Sequence, residues 1–316
     1  MLHNTRHRPL PRKPHPKITR PRKRKHVTLI SAFRCQIEGE QGVIICADSQ
    51  ESFGDYRVTV DKIRPRDANL YDLCFGGAGQ IGDLIDALGN TIEREVKRWE
   101  RSYSEEEARA LLENEVVLFN SRQVDAYSAV PEDKIIQFIV CLRDKTSRAI
   151  YLWKVSGATI EPITGHDLIG WDAPLYKYEA KRLYQNVTDA ITAMTVGLHL
   201  LVFGKATATS IDKPFQIISI SPSRGMKVEQ QDAVEKLEAK VKGVNETLSR
   251  LIPLAANVNT TEEGLKNALH LFEQEILGLR KEVRNYVLEI QPGHLKVTGH
   301  PVTLRVTKAD GTVEES

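Results

Sequence analysis

Between residues 27 and 220 the hydrophobic pattern changes period four times, and this order constrains the fold more than any other feature of the chain. Short apolar runs mark strands, whereas apolar residues spaced three and four apart mark helices. Residues 27–33 and 42–47 form the first pair of apolar runs, joined by the polar residues 36–41. They predict a β-hairpin with a loose turn. Residues 58–63 and 70–75 predict a second strand pair, broken at 64–69. Gly76-Gly77-Ala78-Gly79 then opens a helix in which Ile81, Leu84, Ile85, Leu88, Ile92, Val96 and Trp99 share one face. Ser104, with Glu107 three residues on, is a capping box for the next helix, which carries Ala108, Leu111, Leu112 and Phe119.

Strands return at 135–142 and 149–155, followed by short candidates at 159–163 and 168–169. Pro174 suits the first turn of a helix to residue 184, since a missing N–H costs nothing there. A second helix is expected over 189–203, and a strand at 215–220 closes the unit. Strands, two helices, strands, two helices and a strand fit one core if helices cover the outer faces of two stacked sheets. The predicted class is α+β, as a four-layer αββα sandwich.

Beyond Gly225 a different pattern begins. Val234, Leu237, Val241, Val244, Leu248 and Leu251 alternate three- and four-residue spacings, and Pro253 is expected to end that helix. Thr260 and Glu263 form another capping box, before Leu269, Phe272, Ile276, Leu279, Val283, Tyr286 and Ile290 repeat the alternation. Two such helices joined by a short loop predict an antiparallel, coiled-coil extension that supplies a self-association surface. After Pro292, the alternating Val302, Leu304 and Val306 with the Asp310-Gly311 turn predict a small β-hairpin. The expected domains are 1–26, 27–225, 226–290 and 291–316.

Charge sets the first segment apart. Residues 1–26 hold ten Lys or Arg and no acid, so the net charge of +2 becomes −8 once they are set aside. Five prolines punctuate the same stretch, which predicts an extended, disordered tail. It is read as a solvated arm, a cleaved propeptide, or a phosphate-binding arm for nucleic acid acting through counterion release. No aromatic is interleaved for base stacking. The four cysteines lie in apolar strand-like runs without metal-ligand spacing, as buried thiols of a cytoplasmic protein do. The longest apolar stretch, 194–203, falls short of the ~20 residues of a membrane span. No metal, cofactor or membrane partner is expected.

Thr28, Asp48, Lys62 and Gly77 follow one another in an order that suits acyl chemistry. A hydroxyl at a chain terminus can use its own α-amino group as general base. A lysine held by a carboxylate favours the developing alkoxide, and a glycine amide can donate to a tetrahedral oxyanion. These residues lie within Val27-Thr28-Leu29-Ile30-Ser31-Ala32, Gly42-Val43-Ile44-Ile45-Cys46-Ala47-Asp48-Ser49, Val60-Asp61-Lys62-Ile63 and Phe75-Gly76-Gly77-Ala78-Gly79. The chain here resembles the proteasome β-type family of N-terminal-nucleophile hydrolases, including its bacterial ClpQ and Anbu kinds. Leu168-Ile169-Gly170 and the helix after it extend the resemblance over roughly residues 27–220.

The resemblance implies catalytic roles for Asp48 and Lys62, an oxyanion role for Gly77, and a threonine nucleophile exposed by cleavage. Superposing Thr28-Leu29-Ile30-Ser31 on the family's first strand puts Val27 at the nucleophile position, and a one-residue slip puts Thr28 there. Trp171 replaces the family's small hydroxyl residue after Gly170, and Thr209-Ser210-Ile211-Asp212 is the counterpart of its later acidic and serine positions. Two functions follow. One is a threonine-type endopeptidase, starting at Thr28, with polypeptide substrates and an ATP-dependent unfoldase as partner. The other is an uncut structural subunit, in which Asp48 and Lys62 form a buried ion pair. Both imply a homo-oligomer, as a ring or stack.

Overall fold

The computed structural model describes residues 28–53, 56–79, 81–125, 136–170, 173–207, 211, 214–290, 305–307 and 313–315. The first strands are β1 (Leu29–Ile37) and β2 (Glu40–Asp48), then a hairpin of β3 (Gln50–Phe53) and β4 (Tyr56–Thr59), then β5 (Ile63–Ala68) and β6 (Tyr71–Gly79). Helices α1 (Gly82–Lys97) and α2 (Glu105–Phe119) follow, the latter passing into a π-helical turn at Asn120–Val124. Next come β7 (Ile136–Asp144), β8 (Ile150–Ser156), β9 (Thr159–Pro162) and β10 (His166–Gly170), then α3 (Ala173–Tyr184) and α4 (Ala190–Thr207). Strands β11 (Phe215–Ser221) and β12 (Gly225–Val228) lead into the long helices α5 (Gln231–Ala256) and α6 (Glu262–Ile290). A last pair, β13 (Arg305–Thr307) and β14 (Val313–Glu315), is antiparallel, at the place where the alternating pattern predicts a hairpin.

Two five-stranded antiparallel sheets result. One has the order β10-β1-β2-β11-β12 and the other β5-β6-β7-β8-β9. Three apolar clusters organise them. Leu73, Phe75 and Trp153 of the second sheet pack with Leu84, Leu88, Leu112 and Val116 of α1 and α2. Ile30, Ala32, Val43 and Ile45 of the first sheet meet Cys74, Ile139, Cys141 and Leu152 of the second. Phe33, Ile44 and Cys46, on the other face of the first sheet, pack with Tyr176 of α3, Leu198 and Leu201 of α4, Val234 and Leu237 of α5, and Tyr286 of α6. Alternate residues of a strand therefore serve different cores, which is why residues 43–47 of β2 are apolar without a break. Each large side chain buried this way contributes about 1.5–3 kcal/mol.

Several expectations are corrected. The first hairpin turn is tight, not loose: β1 and β2 run on to Ile37 and Glu40, leaving only Glu38 and Gly39 between them. Both have positive φ, +55° and +85°, as a two-residue type I′ turn requires. Residues 64–69 do not break a strand pair, since β5 runs through Pro65. That proline is tolerated because β5 is an edge strand and needs no second set of ladder bonds. Gly76-Gly77-Ala78-Gly79 completes β6, and α1 begins three residues later. The Ser104–Glu107 capping box is present with both of its reciprocal bonds.

Helix α5 continues through Pro253 to Ala256 instead of ending at the proline. The cap of α6 is Thr261, whose hydroxyl accepts from the Gly264 N–H at 3.1 Å, rather than Thr260. A Cβ at Gly243 would meet the Glu275 carboxylate, and one at Gly278 would approach Lys240, so α5 and α6 run antiparallel against each other. The apolar stripe divides along its length. Val234, Leu237, Val241 and Tyr286 are buried, whereas Leu248, Leu269 and Ile276 nearer the connecting loop are 40–48% exposed. Among the described residues α4 alone is long and apolar enough to cross a membrane, and its Ala193, Met194, Leu198, Leu200 and Leu201 are buried in the core.

Candidate functional site

The end of β2 carries a buried ion pair. Asp48 is fully buried; its Oδ2 accepts from Lys62 Nζ at 2.6 Å and its Oδ1 from the Leu29 N–H at 2.9 Å. The Lys62 side chain is only 8% exposed. Burying two charges is costly unless geometry and further hydrogen bonds offset the desolvation. Here one carboxylate oxygen holds the lysine and the other holds backbone. Lys62 lies just before β5, in the opposite sheet, on a segment fastened to the first sheet. The Val60 N–H donates to the Ser49 carbonyl at 2.8 Å. The Lys62 and Ile63 N–H groups donate to Gln216 Oε1 at 2.8 and 3.2 Å.

The register of β1 places Thr28. Ile30 is paired with Ala47, so Leu29 lies across from Asp48 and Thr28 is the next residue outward. Ile30 and Ala32 face the core between the sheets, whereas Leu29 and Phe33 face the helices. Strand alternation carried one residue further gives Thr28 the inter-sheet parity of Ile30. Thr28 is buried, and its carbonyl oxygen lies against Gly170. Gly170 has φ +135° and no room for a Cβ, so only glycine fits beside this strand end. Its N–H donates to Gln137 Oε1 at 3.2 Å.

The two central glycines of β6 face opposite ways. A Cβ on Gly76 would stand 2.9 Å from both the Lys62 carbonyl oxygen and Ile30 Cδ1. A Cβ on Gly77 would meet Ile85 of α1 and the ring of Phe138. Gly76 is thus the glycine whose α-carbon abuts the lysine segment, with Gly77 next in the strand. Asp48, Lys62 and the Leu29 backbone are joined by hydrogen bonds, Thr28 precedes Leu29 in the chain, and Gly76 abuts the Lys62 carbonyl. Gln216 and Gln137 escaped the sequence pattern. Each is one amide bonding far along the chain, which leaves no periodic trace.

Other nucleophiles are quiet. All four cysteines are free and buried. Burial pushes the Cys35 and Cys141 thiols up to about 12 and raises those of Cys46 and Cys74 too, so thiolate chemistry is suppressed at neutral pH. Among the described residues no group of His, Cys, Asp and Glu is arranged to hold a metal ion. Residues 1–26, Val27, Trp171, Thr209, Ser210 and Asp212 lie outside the described residues.

No family model and no curated protein matches the sequence. Solved structures do match. The Anbu ancestral β-subunit from Yersinia bercovieri superposes with a TM-score of 0.55 at 17% identity, over 71% of this chain and 97% of that one. A mutant of Anbu from Hyphomicrobium sp. strain MC1 gives a TM-score of 0.57 at 14% identity, over 74% and 99%. Anbu from Pseudomonas aeruginosa, solved as a helical assembly, gives 0.53 at 15%, over 70% and 96%. The chain has the Anbu fold, and more than a quarter of it lies beyond each match.

Proposed function

We propose that this chain is a proteasome-like subunit of a homo-oligomeric assembly. Cleavage between Val27 and Thr28 turns it into a threonine-type endopeptidase. The two sheets with α1–α2 on one side and α3–α4 on the other are read as the four-layer αββα sandwich. Helices α5 and α6 are its coiled-coil extension, and the domain limits are 1–26, 27–225, 226–290 and 291–316. The observation that carries the proposal is the shared carboxylate of Asp48. It grips the lysine and the Leu29 amide together, which supports Thr28, the residue before Leu29, as the one that serves Lys62.

While the chain is uncut, the Thr28 nitrogen is an amide and cannot act as a base. Cleavage makes it an amine, which takes the proton from Thr28 Oγ as that oxygen attacks the carbonyl carbon of a peptide. A C–O bond forms and the carbonyl electrons move to the oxygen, stabilised by the amide of Gly77, next to the Gly76 that abuts Lys62. The Lys62 ammonium, oriented by Asp48, lowers the energy of the developing alkoxide. Collapse breaks the C–N bond, and the leaving amine receives the proton. Water then hydrolyses the Thr28 ester and restores the hydroxyl.

The test is hydrolysis of fluorogenic peptides by purified protein. Thr28→Ala and Lys62→Ala each reduce the rate to background, and a Thr28→Ala chain as active as wild type refutes the assignment. A second reading draws on the closure of the site: Asp48 is fully buried and Lys62 nearly so, as in a purely structural ion pair. In that reading the uncut chain is a scaffold subunit. Self-association belongs to both. The helical assembly of the Pseudomonas aeruginosa protein and the exposed stripe of α5 and α6 support it. A monomeric mass by light scattering at micromolar concentration contradicts it.

A further inference from the structure

We infer that Gln216, on β11, is the positioning residue of the Lys62 site: its carboxamide fixes the lysine backbone relative to Asp48. The inference rests on the proposed peptidase reading for its consequence in catalysis, but its geometry stands independently. Gln216 is paired with Ala47, the residue before Asp48, so it belongs to the same sheet end as the carboxylate. Its side chain has the inter-sheet parity of Ile218 and Ile220 and so crosses toward the segment before β5. There Oε1 accepts two successive backbone donors, Lys62 N–H at 2.8 Å and Ile63 N–H at 3.2 Å, and Nε2 donates to Asp61 Oδ1.

This arrangement needs an amide. One oxygen satisfies two N–H groups that the strand ladder leaves over, and the NH₂ meets a carboxylate on the same segment. Three residues in a row, 61–63, are thereby held by one side chain 153–155 residues away. Asp48 and Gln216 sit on adjacent paired strands, so the Lys62 Cα stands at a fixed reach from the carboxylate that its Nζ must meet at 2.6 Å. Without the clamp, the two backbone N–H groups at Lys62 and Ile63 lose their acceptor, and the lysine relies more on its flexible four-carbon stem. Misplacement of a reacting group by about 1 Å costs on the order of 10²-fold in rate.

Two variants separate positioning from folding. Gln216→Met keeps the length and volume but removes all three bonds, and Gln216→Glu keeps the two acceptor bonds while setting a carboxylate against Asp61. The full-length chain, labelled with ¹⁵N-lysine, gives a readout that needs no turnover. In Gln216→Met the Lys62 ammonium signal shifts and its protons exchange faster, with the other lysines unchanged; Gln216→Glu retains most of the wild-type signature. In processed protein Gln216→Met lowers kcat by on the order of 10²-fold with KM within about twofold. A Lys62 signature unchanged in a folded Gln216→Met chain overturns the inference. An inactive wild type with the same Lys62 shift overturns the peptidase reading and leaves the positioning role standing. If Gln216→Met does not fold, a Lys62 signature displaced in Gln216→Glu as far as by Lys62–Asp48 disruption in Asp48→Asn also overturns it, because the two retained acceptor bonds would then be doing nothing.

Discussion

Two buried carboxylates in this molecule each hold a lysine, and they do different things. Asp48 binds Lys62 Nζ and the Leu29 N–H, so one of its two partners is backbone at the head of a strand. Glu229, at the foot of α5, accepts from Ser219 Oγ at 2.6 Å, Lys227 Nζ at 2.8 Å and Tyr286 Oη at 2.9 Å. Its partners are side chains on β11, β12 and α6, and it fastens the helical pair to the first sheet. Lys227 is 47% exposed, whereas Lys62 is 8% exposed. A carboxylate–lysine pair is therefore no signature of chemistry. What distinguishes Asp48 is that it grips the strand-head amide of Leu29 together with a lysine that water scarcely reaches.

The comparison breaks most sharply under truncation. Asp48→Ala strands a nearly buried ammonium and an orphaned N–H, so it should cost about 3–5 kcal/mol in chemical denaturation. Glu229→Ala leaves Lys227 to solvent, and its main cost is the unsatisfied phenol of Tyr286 and hydroxyl of Ser219, about 1–3 kcal/mol. If Glu229→Ala proves the more damaging, the two carboxylates have been ranked wrongly.

Alkaline pH probes the Glu229 end through the difference between wild type and a variant without the Tyr286 phenol. Burial, followed by the Glu229 charge and hydrogen bond, raises the Tyr286 phenol well above its usual range. The folded state then holds a proton that the unfolded chain releases near pH 10, so stability falls as pH rises beyond that value. Tyr286→Phe should flatten this decline relative to wild type, measured as denaturation midpoints between pH 8 and 11. An equal decline in both proteins removes Tyr286 from the account.

Much of the molecule is legible in its sequence, for identifiable reasons. Period changes revealed the order of strands and helices because β1 and β2 bury both faces while α1 buries one stripe. Asp48 and Lys62 stand out in the sequence because the order of motifs resembles a known family, and the structure joins them in an ion pair. The tight Glu38–Gly39 turn was hidden because glutamate at positive φ is an uncommon choice. The last strand of the first sheet, β12, is four residues long and half-exposed, too short to show alternation. The stripe of α5 and α6 has one period throughout, so periodicity could not tell the half packed on the first sheet and α4 from the more exposed half near the connecting loop. Gln216 lay beyond any local pattern, since its meaning is set by Lys62 on the other sheet.

The claim that the Asp48 end is a latent active site and the Glu229 end a fastening meets its most direct test in the intact mass of the purified chain. Wild type should lose residues 1–27 and begin at Thr28, and Glu229→Gln should be processed in the same way. A wild-type chain that stays full length in the assembled protein contradicts the account.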